Sequence, residues 1–138
     1  MKVLFLVASA LISVGSLKSN AEIQQIGNYE VHYAAFPSTI IPPEVARAHR
    51  IARADDKIII NVSVKSGKQP VKVSLTGKVI NLLEQVIELD FVEVQESSAI
   101  YYLAAYVSQS TDILRFNLIV ITADNETLPI NFMHRYDR

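Results

Sequence analysis

The chain has no cysteine and no tryptophan, and only four of its 138 residues are glycine. Without cysteine it can have no disulfide, no thiolate nucleophile, no cysteine-ligated metal and no lipid-modified cysteine. Its fold must therefore be held by packing and hydrogen bonds. No glycine-rich phosphate loop is present, and neither is the Gly-x-Ser-x-Gly elbow of serine hydrolases.

A basic excess is also lacking, because 13 lysines and arginines face 14 acidic residues. Proteins that bind nucleic acids normally carry a clear basic excess, so a nucleic-acid partner is disfavoured. Beyond residue 21 no apolar run approaches the roughly 20 residues that cross a membrane, which predicts no stable membrane anchor.

The first 21 residues have the pattern of an export signal. A short positive start, Met1-Lys2, precedes the apolar residues 3–14, and the small residues Ser19 and Ala21 end the segment. Signal peptidase requires small residues at these two places. We therefore predict a signal peptide at residues 1–21, cleavage after Ala21, a periplasmic location, and a single mature domain at residues 22–138.

The mature part consists of apolar and polar residues in alternation, separated by turn residues. This pattern predicts about seven β-strands, at residues 29–36, 57–65, 71–79, 86–95, 99–107, 113–121 and 128–136. The strands at 57–65 and 71–79 should form a hairpin with one solvent-exposed face. Alternation changes phase after Phe91, which predicts a β-bulge near Phe91-Val92. The segment 99–107 is apolar on both faces, so it should either be a central strand or have one face that contacts another part of the molecule or a partner.

These elements favour an all-β fold, a single antiparallel β-sandwich of immunoglobulin-like architecture, with a small barrel as the alternative. One short helical insert is expected at residues 43–53. Pro43 suits the first helical position, and Val45, Ala48 and Ala52 should form its packing face. Three arginines should share another face, either as an anion or lipid-headgroup contact or, as we favour, as a solvated surface: Arg47, Arg50 and Arg53.

Few residues of the sequence suggest catalysis or metal binding. Strand phase places His32 and His134 on opposite sides of a sheet, and no metal-ligand spacing occurs, so we expect neither a metal nor a cofactor. Glu88 and Asp90 lie about 7 Å apart on one strand face, a separation that could serve acid–base work on a sugar. Acidic side chains on the solvent-exposed face of a strand are commoner than catalytic pairs, so we predict no catalytic residue.

A candidate binding patch follows from the last strands. If segments 99–107 and 113–121 pair directly, Tyr102 and Tyr106 share an exposed face with Arg115 and Asn117. Exposed tyrosine and arginine side chains are typical of recognition surfaces. Ordinary cross-strand packing, with Arg115 on the tyrosine rings, is the alternative.

Several blocks of the mature chain carry a family resemblance. They are Tyr29-Glu30-Val31-His32-Tyr33, Ala35-Phe36, Ser38-Thr39, Pro43-Glu44-Val45-Ala46, Asn61-Val62-Ser63-Val64, Ala99-Ile100-Tyr101-Tyr102-Leu103 and Leu114-Arg115-Phe116. Together they resemble domain-of-unknown-function family 4426, small exported proteins of Gram-negative bacteria. In that family an asparagine often precedes the Ser-Thr pair, whereas Pro37 stands there in this chain. The resemblance implies a periplasmic location and a compact β fold, and it supplies no activity.

Loops carry function more often than packed strands do, so the distinctive tract after the first strand is a second candidate site. Its candidate residues are Phe36, Ser38, Thr39, Arg47 and Arg50. The sequence thus favours a non-enzymatic binding or accessory module for an envelope protein or a small ligand. The alternative is a small hydrolase acting on envelope material through the strand carboxylates. The oligomeric state stays open.

Overall fold

The structure is a computed structural model that describes residues 21–108 and 110–137. Nearly all of the predicted signal peptide, residues 1–20, lies outside the described residues. In the described part, no helix is long and apolar enough to cross a membrane. The elements are β1 (Glu22–Ile26), β2 (Tyr29–Pro37), a 3-10 turn (Ser38–Ile40), α1 (Pro43–Ala48), β3 (Lys57–Ser66), β4 (Gln69–Pro70), β5 (Ser74–Ile80), β6 (Val86–Leu89), β7 (Val92–Glu96), β8 (Ala99–Val107), β9 (Asp112–Ile121) and β10 (Thr127–Tyr136).

The strands form two antiparallel sheets. Sheet A has the order β1-β2-β3-β8-β7, with β4 beside β3, and sheet B has the order β10-β9-β5-β6. The inward side chains of both sheets meet in one apolar core, in which Phe116 is stacked on Phe132. The predicted all-β sandwich is confirmed. It has ten described strands rather than about seven, because β1 and β4 were not predicted and residues 86–95 form two strands.

The predicted hairpin between residues 57–65 and 71–79 is wrong. After β3 the chain pairs back for only two residues, Gln69 and Pro70. The last backbone hydrogen bond of this short ladder runs from the Val71 N–H to the Val64 carbonyl, at 2.9 Å. The chain then crosses to sheet B, where β5 lies between β9 and β6.

The predicted bulge near Phe91-Val92 is also wrong, although the change of phase has a structural cause. β6 belongs to sheet B and β7 belongs to sheet A, so the chain changes sheet at Asp90 and Phe91. Leu89 faces the main core, whereas Val94 packs on the outer face of sheet A. A strand that changes sheet reverses its buried side without an inserted residue.

A second, smaller apolar cluster lies on this outer face, where the segment between β2 and β3 covers sheet A. Val45 and Ala46 of α1 and Ile41 pack there with Phe36, Ile59 and Tyr101. This cover explains why β8 is apolar on both faces: one face joins the main core and the other joins the second cluster. Both alternatives predicted for residues 99–107 hold, because β8 lies between β3 and β7 and its outer face is covered by the second cluster.

The predicted helix at residues 43–53 is too long. α1 ends at Ala48, and Arg50 has φ 56°, a left-handed conformation that no α-helix contains. Val45 is buried as predicted, whereas Ala48 and Ala52 are exposed, because the helix ends before it can present them to the core. The three arginines therefore do not form one helix face.

Candidate functional site

The predicted patch of tyrosine, arginine and asparagine does not form one surface. β8 and β9 lie in different sheets and do not pair, so the loop-parity argument that placed these residues together fails. Tyr102 and Tyr106 are in the main core. The hydroxyl of Tyr102 donates to Glu93 at 3.0 Å and accepts from the Val73 N–H at 2.9 Å. Burial raises the pKa of Tyr102, and the hydrogen bond to Glu93 adds to this rise.

The loop predicted after β2 divides into a structural part and an exposed part. Phe36 and Ser38 are buried. The Ser38 hydroxyl donates to the Ala54 carbonyl and accepts from the Ala54 N–H, both at 2.9 Å, and so closes the base of the segment. Thr39, Arg47 and Arg50 are exposed.

A different surface stands out at the turn between β5 and β6. We call residues 81–85 the leucine turn. The N–H of Glu84 donates to the carbonyl of Asn81, and the N–H of Asn81 donates to the carbonyl of Gln85. Glu84 has φ 62°. This is a three-residue hairpin loop in which a type I turn is followed by a left-handed residue.

The turn displays its two leucines to solvent. Leu82 is 58% exposed and Leu83 is 78% exposed. Val86 and Met133, at 59% and 64%, lie on the outer face of the same sheet. The register places Val86, Ile80, Arg115 and Met133 in one row across β6, β5, β9 and β10. The result is an apolar surface with one arginine at its centre.

A network of buried polar side chains holds the leucine turn from below. The amide of Asn81 donates to the Gln85 side chain at 2.7 Å and to the Tyr106 hydroxyl at 3.3 Å. The carboxylate of Asp112 accepts from the Leu82 N–H at 2.7 Å and from the Ser108 hydroxyl at 3.2 Å. Tyr106 lies in β8 of sheet A, and Ser108 directly follows that strand. The network therefore joins the two sheets beneath the turn.

Arg115 contacts the turn from the side through an exposed ion pair with Glu84. Two residues of the predicted patch, Tyr106 and Arg115, therefore both contact this turn, Tyr106 from the core and Arg115 from the outer face of sheet B. Asn117 is one row away on sheet B, between Lys78 and Asn131. Tyr102 belongs to the separate contact with Glu93 and Val73.

The histidines and the candidate carboxylates stay apart. His32 lies 2.5 Å from Glu30 on the outer side of β2, whereas His134 is buried on the inner side of β10, where burial lowers its pKa. Glu88 and Asp90 are exposed, and the chain leaves sheet B at Asp90, so the paired strand face does not form. The described residues contain no group of three or more histidine or acidic side chains that could hold a metal.

The leucine turn was not predicted from the sequence, although a signal for it is present. Two leucines stand between Ile80 and Val86 and break the alternation of a strand, and Asn81 is a favoured residue at the start of a turn. The missing information was the left-handed conformation at Glu84, since glutamate gives no local indication of it.

Comparison with known proteins gives one family and a shared fold. The chain matches no curated protein. It is 30% identical to a DUF4426 family protein from Pseudomonas aeruginosa, whose crystal structure gives a TM-score of 0.76 over 85% of this chain and 94% of that one. Two structures of FetP from uropathogenic Escherichia coli share the fold at lower identity. One of them, a copper-bound variant, is 9% identical, with a TM-score of 0.61 over 86% of this chain and 95% of that one.

The second FetP structure is of the protein as isolated after expression in the periplasm of E. coli. It is 11% identical, with a TM-score of 0.59 over 87% of this chain and 97% of that one. At this identity the likeness concerns the fold alone. The family model for the domain of unknown function DUF4426 matches residues 23–136, almost the whole region after the predicted signal peptide. The chain therefore belongs to the DUF4426 family.

Proposed function

We propose that this protein is an exported, periplasmic binding module without catalytic activity, and that the leucine turn is the site at which it docks onto an envelope protein. The observation that carries the proposal is the exposure of Leu82 and Leu83 on a turn that buried groups hold in place. Scattered apolar residues are ordinary on protein surfaces, whereas neighbouring ones that form a contiguous patch are typical of interaction sites.

The conformation of the turn supports the same proposal. A non-glycine residue with φ near +60° costs about 1 kcal/mol or more, and Glu84 occupies this region. Hydrogen bonds to Asp112, Asn81 and Tyr106 offset that cost. A turn held in this way is already ordered before a partner arrives, so binding loses less conformational entropy.

A protein partner fits this surface better than a small ligand does. Small-molecule sites are concave and enclose their ligand. Here Leu82 and Leu83 project from the end of a hairpin, a shape suited to filling an apolar pocket on another protein. The ion pair of Glu84 and Arg115 lies beside the leucines and would supply a polar contact within such an interface.

The proposed cleavage after Ala21 is compatible with the described strands. β1 starts at Glu22, directly after the proposed cleavage site, so cleavage removes no described strand residue. The hydroxyl of Tyr33 donates to the Glu22 carboxylate at 2.8 Å. Burial and this hydrogen bond raise the pKa of Tyr33 to about 12. The first residue of the proposed mature chain is thereby attached to β2.

The test compares two matched double variants. The wild-type protein, Leu82→Ser/Leu83→Ser and Ile119→Ser/Ile121→Ser are immobilised and exposed to a periplasmic extract, and the retained proteins are identified by mass spectrometry. Ile119 and Ile121 are exposed on the same sheet, at the other end of β9. We expect one protein that binds the wild type and the isoleucine variant, and that binds the leucine variant at least tenfold more weakly once purified. Equal binding of that protein by all three would overturn the proposal.

A further inference from the structure

The outer edge of β10 is an open strand edge with little protection. Among the described strands β10 pairs only with β9. It has 10 residues, whereas the other edge strands, β1, β6 and β7, have 5, 4 and 5. Proteins usually protect a long edge with charges, and β10 carries one formal charge, on Arg135, which forms an ion pair at 3.1 Å with Asp137 directly after the strand.

The hydrogen-bond pattern shows which residues of β10 face that edge. The N–H of Thr122 donates to the carbonyl of Glu126 across the β9–β10 turn. Antiparallel ladders alternate, and the register pairs Leu128 with Val120, so the even-numbered residues of β10 bond to β9. The backbone groups of Asn131, Met133 and Arg135 therefore point outward. Pro129 is also an outward position, where it has no N–H to offer, and it limits the open edge to residues 131–135.

We propose that two copies of this protein join along β10, antiparallel and centred on Met133, to make one continuous eight-stranded sheet. In this register Met133 lies opposite Met133 of the second copy, and Arg135 lies opposite Asn131. Three outward residues in each strand can exchange backbone hydrogen bonds with the partner strand.

A second copy fits this edge because the edge is complementary to itself. The two-fold axis places the exposed apolar side chain against itself and each cation opposite a neutral amide. Like charges directly opposite each other would destabilise such a pair, and none are opposed in this register. Isologous contacts of this kind are the commonest basis of homodimers.

The pairing also aligns the two apolar surfaces. Met133 lies in the row that contains Arg115, Ile80 and Val86, so the row continues through the two-fold axis into the second copy. The two leucine turns then lie toward opposite ends of the sheet, separated by about six strand spacings, or roughly 29 Å. The dimer does not depend on the role proposed for the leucine turn.

Sedimentation velocity of the purified protein, from low micromolar to near-millimolar concentration, tests the pairing. Such a short ladder buries little area, so we expect a weak, concentration-dependent dimer. Met133→Lys places two cations opposite each other and should weaken the dimer by about fivefold or more, whereas Met133→Leu should preserve it. Asn131→Asp places a carboxylate opposite Arg135 and should strengthen the dimer about two- to tenfold at low salt, with the gain lost at high salt.

Amide hydrogen exchange identifies the edge. The N–H groups of residues 131, 133 and 135 should exchange more slowly as the concentration rises, because they are bonded only in the dimer. A wild-type protein that stays monomeric throughout, or a dimer that Met133→Lys and Asn131→Asp leave unchanged, would overturn the inference. Leu82→Ser/Leu83→Ser should dimerise like the wild type, which separates a failure of this inference from a failure of the proposed docking site.

Discussion

Sheet B contains two hairpin turns with the same backbone design and opposite surface character. In both, the first residue accepts a backbone hydrogen bond from the fourth, and the fourth residue has positive φ. In the turn at residues 122–126 that residue is Asn125, at φ 63°, and the exposed residues before it are Ala123 and Asp124. In the leucine turn it is Glu84, at φ 62°, and the exposed residues are two leucines.

The difference lies in what stabilises each turn. The turn at residues 122–126 is largely stabilised by its own side chains: Thr122 accepts from the Glu126 N–H and donates to Asp124, and asparagine tolerates the left-handed conformation. From outside this hairpin, Tyr29 donates to Asp124. The leucine turn has an equivalent closure, in which the Asn81 side chain accepts from the Gln85 N–H, and it also bonds to Asp112 and Tyr106, which lie outside its own hairpin. Exposed leucines do not stabilise the fold, and this turn is held in part by contacts outside its own hairpin. We therefore propose that the leucines serve binding rather than folding.

The largest effect should come from removing the side chain beneath the leucine turn. Asn81→Ala leaves the part-buried Gln85 N–H and the buried Tyr106 hydroxyl without their partner, so we expect a loss of about 2 kcal/mol in the free energy of unfolding. Urea denaturation followed by circular dichroism measures it. Thr122→Val, at the equivalent place in the other turn, is the matched variant and should cost about 1 kcal/mol. Equal losses would mean that both turns depend equally on their surroundings.

The second effect concerns the left-handed residue of the turn at residues 122–126. Asn125→Ala replaces a residue that tolerates positive φ with one that does not, and should destabilise the protein by about 1 kcal/mol. Asn125→Gly should be close to neutral, because glycine adopts this conformation freely. Thermal unfolding of the two variants gives the comparison. An alanine variant as stable as the glycine variant would show that the turn has no such preference.

The third effect has the opposite sign and occurs in the leucine turn. Glu84→Asn relieves the strained conformation but removes the ion pair with Arg115, which is largely exposed and contributes little. The net result should be a gain of about 0.5 kcal/mol in the free energy of unfolding. Arg115→Gln separates the two contributions, since it removes the ion pair and keeps the strain. A destabilised Glu84→Asn protein would contradict the assignment of strain to Glu84.

The smallest effect is a pH dependence at residues 122–126. Hydrogen bonds from Thr122 and from Tyr29, the latter at 2.9 Å, lower the pKa of the Asp124 carboxyl. Because the folded-state pKa lies below the unfolded-state pKa, the contact stabilises the protein above the unfolded value and is lost as the pH falls through the folded value. The wild type should therefore lose this contribution below about pH 4, and Asp124→Asn should show a shallower acid dependence. Unfolding free energies at several acid pH values, for both proteins, measure the difference.

The local alternation of apolar and polar residues was enough to predict most strands and the sandwich. It was not enough to predict which strands pair with each other. Ile58, Ile60, Val62 and Val64 alternate and are all buried, because a strand with one core face requires that pattern. Partner choice depends on where the chain crosses between sheets, and residues on either side of a crossing look like one strand or one hairpin. Asp90 and the loop after Val107 are such crossings.

The candidate site could be predicted only in part, because alternation shows which face a residue lies on but not which strands are neighbours. Arg115 and Tyr106 were selected as surface residues from strand parity, and they do contribute to the leucine turn, one from the side and one from beneath. Their roles required the arrangement of the two sheets. The exposure of Leu82 and Leu83 could not be derived from composition, because leucine is expected in a core and its position outside one is a property of the fold.

Site-specific photo-cross-linking in living cells tests the central claim most directly. A photoreactive residue replaces Leu83 in one version of the protein and Ile119, an exposed residue on the same sheet, in the other. We expect a discrete cross-linked protein band from position 83 and none from position 119. Cross-linking to the same protein from both positions, or none from position 83, would contradict the assignment of the leucine turn as the docking site.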